Sequence, residues 1–152
     1  MLKITRSEQA RCKNRGYATT EIVSTGRKSP MQITPIKPSE HAFAEANLVS
    51  EFSRLLFVSG QVPADANQIV PPDYESQYRL AWANVESQLN AAGMTFDNLV
   101  KATIFLSDRS LINKSAGLRR SILGHRTPAI TIVLTGIYDE AWLLEIEAIA
   151  AA

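Results

Sequence analysis

The chain is poor in the residues that build metal centres and disulfides. Cys12 is its only cysteine, so it forms no intrachain disulfide and no cysteine metal cluster. His41 and His125 are its only histidines, and they are far apart without ligand spacing, which speaks against a zinc site. Each reads as a surface or loop residue, and neither a metal nor a cofactor is expected. No apolar run approaches the length of a membrane span. No secretory hydrophobic region is visible, so neither membrane insertion nor export is expected. Glycine-rich phosphate loops are missing, since "VSGQVP" (58–63) has one glycine and no lysine. Ser, His and Asp are all present, but nothing ties them into a triad. There is no internal repeat and no low-complexity block.

What is there is ordinary for a soluble domain: 45% hydrophobic and 20% charged over 152 residues, enough for one domain with a real core. The net charge of +1 hides an asymmetry. Residues 1–30 hold seven Lys/Arg against Glu8 and Glu21, or +5, which leaves nine basic against thirteen acidic residues, or −4, in the remainder. A mildly acidic body disfavours a nucleic-acid groove. The basic stretch shows no sustained period. It reads as a mitochondrial transit peptide, as an extension upstream of a domain that begins at Met31, or as a solvated or nucleic-acid-touching tail. Composition does not separate the first two. The expectation is a tail over 1–30 outside a domain over 31–152. The expected compartment is the cytoplasm, or the mitochondrion if the tail is a transit peptide.

From Met31 on, periodicity is informative. Residues 32–38 alternate and read as an edge strand, because Pro35 is tolerated only there. Residues 42–50 and 54–61 read as strands joined by a polar turn, and 62–73 as a loop. Asp73 then caps a helix. Tyr74, Tyr78, Ala81, Trp82, Val85, Leu89 and Ala92 recur at helical spacing, and Gly93 stands where a helix stops. A strand over 100–106, a weaker helix over 109–125 ending near Gly124, and strands over 129–135 and 142–150 follow. The order β-β-β-α-β-α-β-β predicts an α+β layer with both helices on one face of a sheet. A sheet so covered leaves its other face to be buried by oligomerisation.

The tail "AWLLEIEAIAAA" poses a problem. Trp142, Leu144, Ile146 and Ala148 fall on one face of an extended strand and Glu145 and Glu147 on the other. Leu143 and Ile149 share the glutamates' face, so that face is not simply wet. On residue pattern alone, both glutamates are ordinary sheet-surface carboxylates.

Four segments, "LLFVSGQVP" (55–63), "AGMTFDNLVKATIFLSD" (92–108), "TPAITIV" (127–133) and "EIEAIA" (145–150), together resemble the signatures of the Rid family, the reactive intermediate deaminases also called YjgF-like or L-PSP proteins. The resemblance spans residues 32–150. It implies a chorismate-mutase-like mixed sheet with two helices, homotrimers whose strands build a central barrel, and small-molecule ligands held in clefts between subunits. It also gives Glu145 a role: the matching glutamate reaches the cleft and holds the attacking water. A partly desolvated carboxylate suits such a role. Glu147 is then structural, with a salt bridge expected.

One departure stands out. Imine deaminases of this family carry an arginine directly after the Pro-Ala of the third segment, gripping the substrate carboxylate in a bidentate pair. Here that position is Ile130, fifteen residues before Glu145, the family's separation. An aliphatic side chain cannot replace the clamp. Arg126 starts more than about 10 Å away along an extended chain. At the front of the cleft Phe43 stands where the family has tyrosine, keeping the ring and losing the hydroxyl. Asn113 matches the family's cleft asparagine or, equally, caps a helix. Ser59 and Gly60 end a strand that lines the cleft with backbone groups. Three functions follow: an imine or enamine hydrolase using Glu145, a non-catalytic small-ligand trimer, or an RNA-acting protein, the last supported only by the basic tail.

Overall fold

The computed structural model describes residues 30–152. The tail expected over 1–30 lies outside the described residues. Six strands, β1 (Gln32–Ser39), β2 (Phe43–Ser50), β3 (Leu55–Gln61), β4 (Leu99–Leu106), β5 (Ala129–Leu134) and β6 (Leu144–Ala151), form one mixed sheet in the order β1-β2-β5-β4-β6-β3. Two helices, α1 (Tyr74–Ala91) and α2 (Ile112–Leu123), complete the α+β unit. Pro35 sits in edge strand β1, where its missing N–H costs no ladder bond.

The topology explains why both helices share a face. β4 and β5 pair in parallel, and β3 and β4 both run antiparallel to the β6 between them. The chain therefore makes two crossovers, β3-α1-β4 and β4-α2-β5, stepping the same way across the sheet. Crossovers of one hand stepping one way lay their helices on one side. That side is the core. Ala102, Ile104 and Leu106 of β4 and Leu144, Ile146, Ala148 and Ala150 of β6 join Tyr78, Trp82 and Val85 of α1 and Leu123 of α2 in a single buried cluster.

Helix α1 begins as its sequence dictates. Asp73 accepts from the Ser76 N–H at 3.0 Å, and this bond holds the Asp73 carboxyl below the usual carboxylate range. Its apolar stripe begins an aromatic ladder, Tyr74–Tyr78–Trp82, that Phe96 of the following 3-10 turn completes, with ring centroids 5.6, 6.4 and 5.8 Å apart. Gly93 (φ +68°) ends it: the Gly93 N–H reaches the Asn90 carbonyl and the Met94 N–H reaches the Leu89 carbonyl, each at 2.9 Å.

The second helical region differs from its expected span. Arg109–Leu111 is a 3-10 turn capped by Asp108, and only Ile112–Leu123 is α-helical. Leu111 holds the cap position of α2 without a side-chain bond, so Asn113 is not the cap residue. The last strand also starts later than expected. Trp142 and Leu143 precede it, and Leu143 packs against the core instead of sharing the glutamates' face. The reason is Gln77, buried on α1. Its amide oxygen accepts from the Leu143 N–H at 2.8 Å, and its amide nitrogen donates to the Pro71 and Ala141 carbonyls at 2.8 and 2.9 Å. No helix among the described residues is long and apolar enough to cross a membrane.

Candidate functional site

Strand β3 carries a bulge. Val58 opposes Ala148 and Gln61 opposes Ile146, so Ser59 and Gly60 together face the single residue Glu147. A bulge bends its strand and re-aims what it carries. Here it brings the Gly60 backbone onto the Glu145 side chain: a Cβ on Gly60 would lie 2.6 Å from Glu145 Cδ and 3.0 Å from its Cγ. Glycine is required by space, not by its backbone angles.

Glu145 pairs across β4 with Phe105 and is half-buried on the face away from the helices. With Gly60, Phe105, Glu147 and residues Thr135–Tyr138 it lines a cleft of ≈ 340 Å³. The 135–138 segment crosses the end of β4 on its way from β5 to β6, anchored where the Thr135 N–H donates to the Leu106 carbonyl at 3.1 Å. Tyr138, 95% exposed, stands at the rim with its ring 6.1 Å from that of Trp142. Glu147 opposes Thr103 and is exposed. The expected salt bridge is not made: among the described residues the ion pairs are Glu40–His41, Glu75–Arg79 and Asp97–Arg126.

The remaining candidates lie elsewhere. Ile130 pairs with Ala102, a core residue, and packs against the buried cluster. Ala102 and Phe105 are three apart on β4, so Ile130 and Glu145 occupy opposite faces of the sheet. Phe43 starts β2 beside Ala44, the partner of Ala129, and so lies at the Ile130 end. Asn113 is exposed on the first turn of α2 and makes no side-chain hydrogen bond among the described residues. Among the candidates, the fold brings Gly60 against Glu145, while Ser59 lines the neighbouring hollows beside Val58 and Phe57. Arg126 is engaged elsewhere, its Nε 2.6 Å from Asp97 Oδ1; this bond holds the Asp97 carboxyl below its ordinary range. Sequence reasoning missed Phe105 and the 135–138 crossing. Phe105 could be found only once the β4–β6 register was known, and the crossing only from the strand order.

The face opposite the helices is open. It presents Phe57 (71% exposed), Leu55, Phe105, Thr131, Ile149 and Lys101, whose Nζ donates to Thr131 Oγ1 at 2.9 Å. Among the described residues no group of three or more His, Cys, Asp or Glu is placed to hold a metal ion.

Comparison with known proteins agrees with this architecture. The family model described as Endoribonuclease L-PSP matches residues 38–152. A RutC family protein of Pyrococcus horikoshii is 31% identical over 118 residues, covering 76% of this chain and 88% of that one. The 2-iminobutanoate/2-iminopropanoate deaminase of Bos taurus is 30% identical over 132 residues, covering 86% and 88%. A solved Rid protein of Yersinia pestis, YyfB, superposes with a TM-score of 0.69 at 22% identity, covering 82% of this chain and all of its own. The chain belongs to the L-PSP family, the Rid or YjgF proteins.

Proposed function

We propose that this protein is a homotrimer that binds a small molecule in a cleft between subunits and hydrolyses an imine or enamine there, with Glu145 holding the water. The observation that carries this reading is the seat of Glu145: a half-buried carboxylate lying on bare glycine backbone, with no cation beside it, in an open cleft. Such a carboxylate is free to accept a proton. The water oxygen bonds to the imine carbon as its proton passes to Glu145. That proton then goes to the nitrogen to give a carbinolamine, and as the C–N bond breaks the remaining hydroxyl proton passes by way of Glu145 to the departing nitrogen, so that ammonia leaves and a carbonyl remains. The deaminase named among the relatives performs chemistry of this class.

The opposite-face placement of Ile130 and Glu145 supports an intersubunit cleft, because one chain cannot bring both positions to one ligand. The open face, with Phe57 and Leu55 exposed, supplies a surface for the partner subunits. Ile130 itself favours a second reading, a trimer that binds without turnover, since it offers no donor to a substrate carboxylate. Two carboxylates at one cleft repel a phosphate backbone, which weighs against the RNA-acting reading.

The test is ammonia release from freshly generated imines, with and without a carboxylate, for the wild type and Glu145→Gln. Turnover that disappears in Glu145→Gln while ligand binding persists is the expected result. No turnover of any imine by the wild type would overturn the enzyme reading in favour of the binding trimer.

A further inference from the structure

The cleft around Glu145 carries charge that its own walls do not balance. Of the residues that line it, Glu145 and Glu147 are acidic and none is basic. The two glutamates stand two apart on β6, so their Cα atoms are roughly 7 Å apart on one face of the sheet. Neither enters an ion pair among the described residues. Lys101 shares their face but lies on the far side of Glu147 from Glu145, because β4 sets Lys101 opposite Ile149, Thr103 opposite Glu147 and Phe105 opposite Glu145. Its Nζ is turned to Thr131 Oγ1, not to the glutamate. From Lys101 to Phe105 the strand runs roughly 13 Å.

The rest of the lining suits an apolar group. Phe105 and Ile137 are half-buried, and Gly60 and Gly136 offer bare backbone. Tyr138 stands at the rim, and its ring is tilted by 37° against that of Trp142. Aromatic faces attract cations, most strongly where water is partly excluded. An anion entering here meets two like charges. A cation meets two carboxylates and an aromatic rim.

We infer that this cleft selects cations over carboxylates, so that its substrate is a protonated imine with no carboxylate and with a short alkyl or aryl group against Phe105, Ile137 and Tyr138; this rests on reading the cleft as the site of imine hydrolysis. Protonation puts the positive charge on the imine nitrogen, within reach of both glutamates, and makes the imine carbon more electrophilic. The water oxygen bonds to that carbon as one water proton passes to Glu145, which gives a neutral carbinolamine. Glu145 returns the proton to the nitrogen. The C–N bond then breaks as the hydroxyl proton passes to Glu145, and the carbonyl product and ammonia leave, the last proton going out with ammonia as ammonium. Glu147 exchanges no proton in this sequence and acts through its charge. A substrate without a carboxylate has no use for a β5 arginine, in accord with Ile130.

The test is calorimetric titration of the full chain at low ionic strength with three ligands of one shape: butanamidinium, butanamide and butanoate. The first is a cation and stands in for a protonated imine, the second is neutral and the third is an anion. Butanamidinium should bind at least about tenfold more tightly than butanamide, and butanoate more weakly than either. Glu147→Gln and Tyr138→Ala should each cut the preference for the amidinium by about threefold. Both side chains are exposed, so both variants keep the fold. Added salt should erode the preference. Equal binding of amidinium and amide, tighter binding of butanoate, or no binding of any of the three overturns the proposal. A preference that survives either substitution in full also overturns it and puts the cation elsewhere. None of these readouts needs turnover. A Glu147-dependent preference in a protein that hydrolyses no imine would uphold the selection of cations and sink the hydrolase. Glu145-dependent turnover without any preference for the cation would uphold the hydrolase and sink this inference.

Discussion

The Glu145 carboxylate rests on the Cα of Gly60, filling the space a Cβ would need. The bulge at Ser59-Gly60 creates this contact, because two residues of β3 there oppose the single residue Glu147 on β6. A strand end and a glutamate from a distant segment thus form one unit.

Gly60→Ala should therefore act on Glu145 and little else. The methyl group must push the carboxylate aside, since the neighbouring backbone is fixed in the ladder. A displacement of about 1 Å at a catalytic group costs on the order of a hundredfold in rate. Imine turnover should fall by that order while circular dichroism stays unchanged. Full activity in Gly60→Ala would show that the seat of the carboxylate is not functional.

Phe57→Glu should break the assembly without harming the subunit. Phe57 is 71% exposed on the bare face of the sheet, so the subunit loses about 0.5 kcal/mol or less by the change. Sedimentation should show trimer for the wild type and monomer for the variant. A wild-type monomer at micromolar concentration would remove the intersubunit cleft altogether.

Gln77→Leu should destabilise by about 3 kcal/mol. It strands the Leu143 N–H and two carbonyls that now share one amide. Chemical denaturation should show a lower midpoint with an unchanged slope. The same variant frees the connection entering β6, so turnover should drop at temperatures where the fold persists.

Alkaline pH should act through Tyr74. Burial pushes its hydroxyl up to about 12, against 10 for an unperturbed tyrosine, with the Ser115 hydroxyl at 2.6 Å offsetting part of the effect. A raised folded-state value means the unfolded chain loses this proton first. The stabilisation is complete below pH 10 and fades as pH rises towards about 12. Tyr74→Phe should flatten that part of the stability profile. A profile unchanged by the substitution would assign the alkaline loss to other groups.

The elements were legible because their physics is local. The α1 stripe from Tyr74 to Leu89, its Asp73 cap and its Gly93 stop are spaced by the helix itself, and the fold places them so. The edge position of Pro35 follows from its missing N–H. The end of the chain was less legible. Leu143 fits the glutamates' face by alternation, yet Gln77, 66 residues earlier, draws it to the core. Asn113 has the composition of a cap, but the 3-10 turn at Arg109–Leu111 shifts the start of the helix past it.

The sequence by itself determined the family, the α+β class and Glu145 as a residue to examine, because these rest on spacings along one chain. Tertiary structure alone decided which residues meet. The β3 bulge set Gly60 under Glu145, and the parity of β4 sent Ile130 and Glu145 to opposite faces. The fold also set Arg119 of α2 over the Phe43 ring of β2, with its Cζ 5.7 Å from the ring centre. Register and burial are properties of strand pairs and layers, and no periodicity within a single segment encodes them.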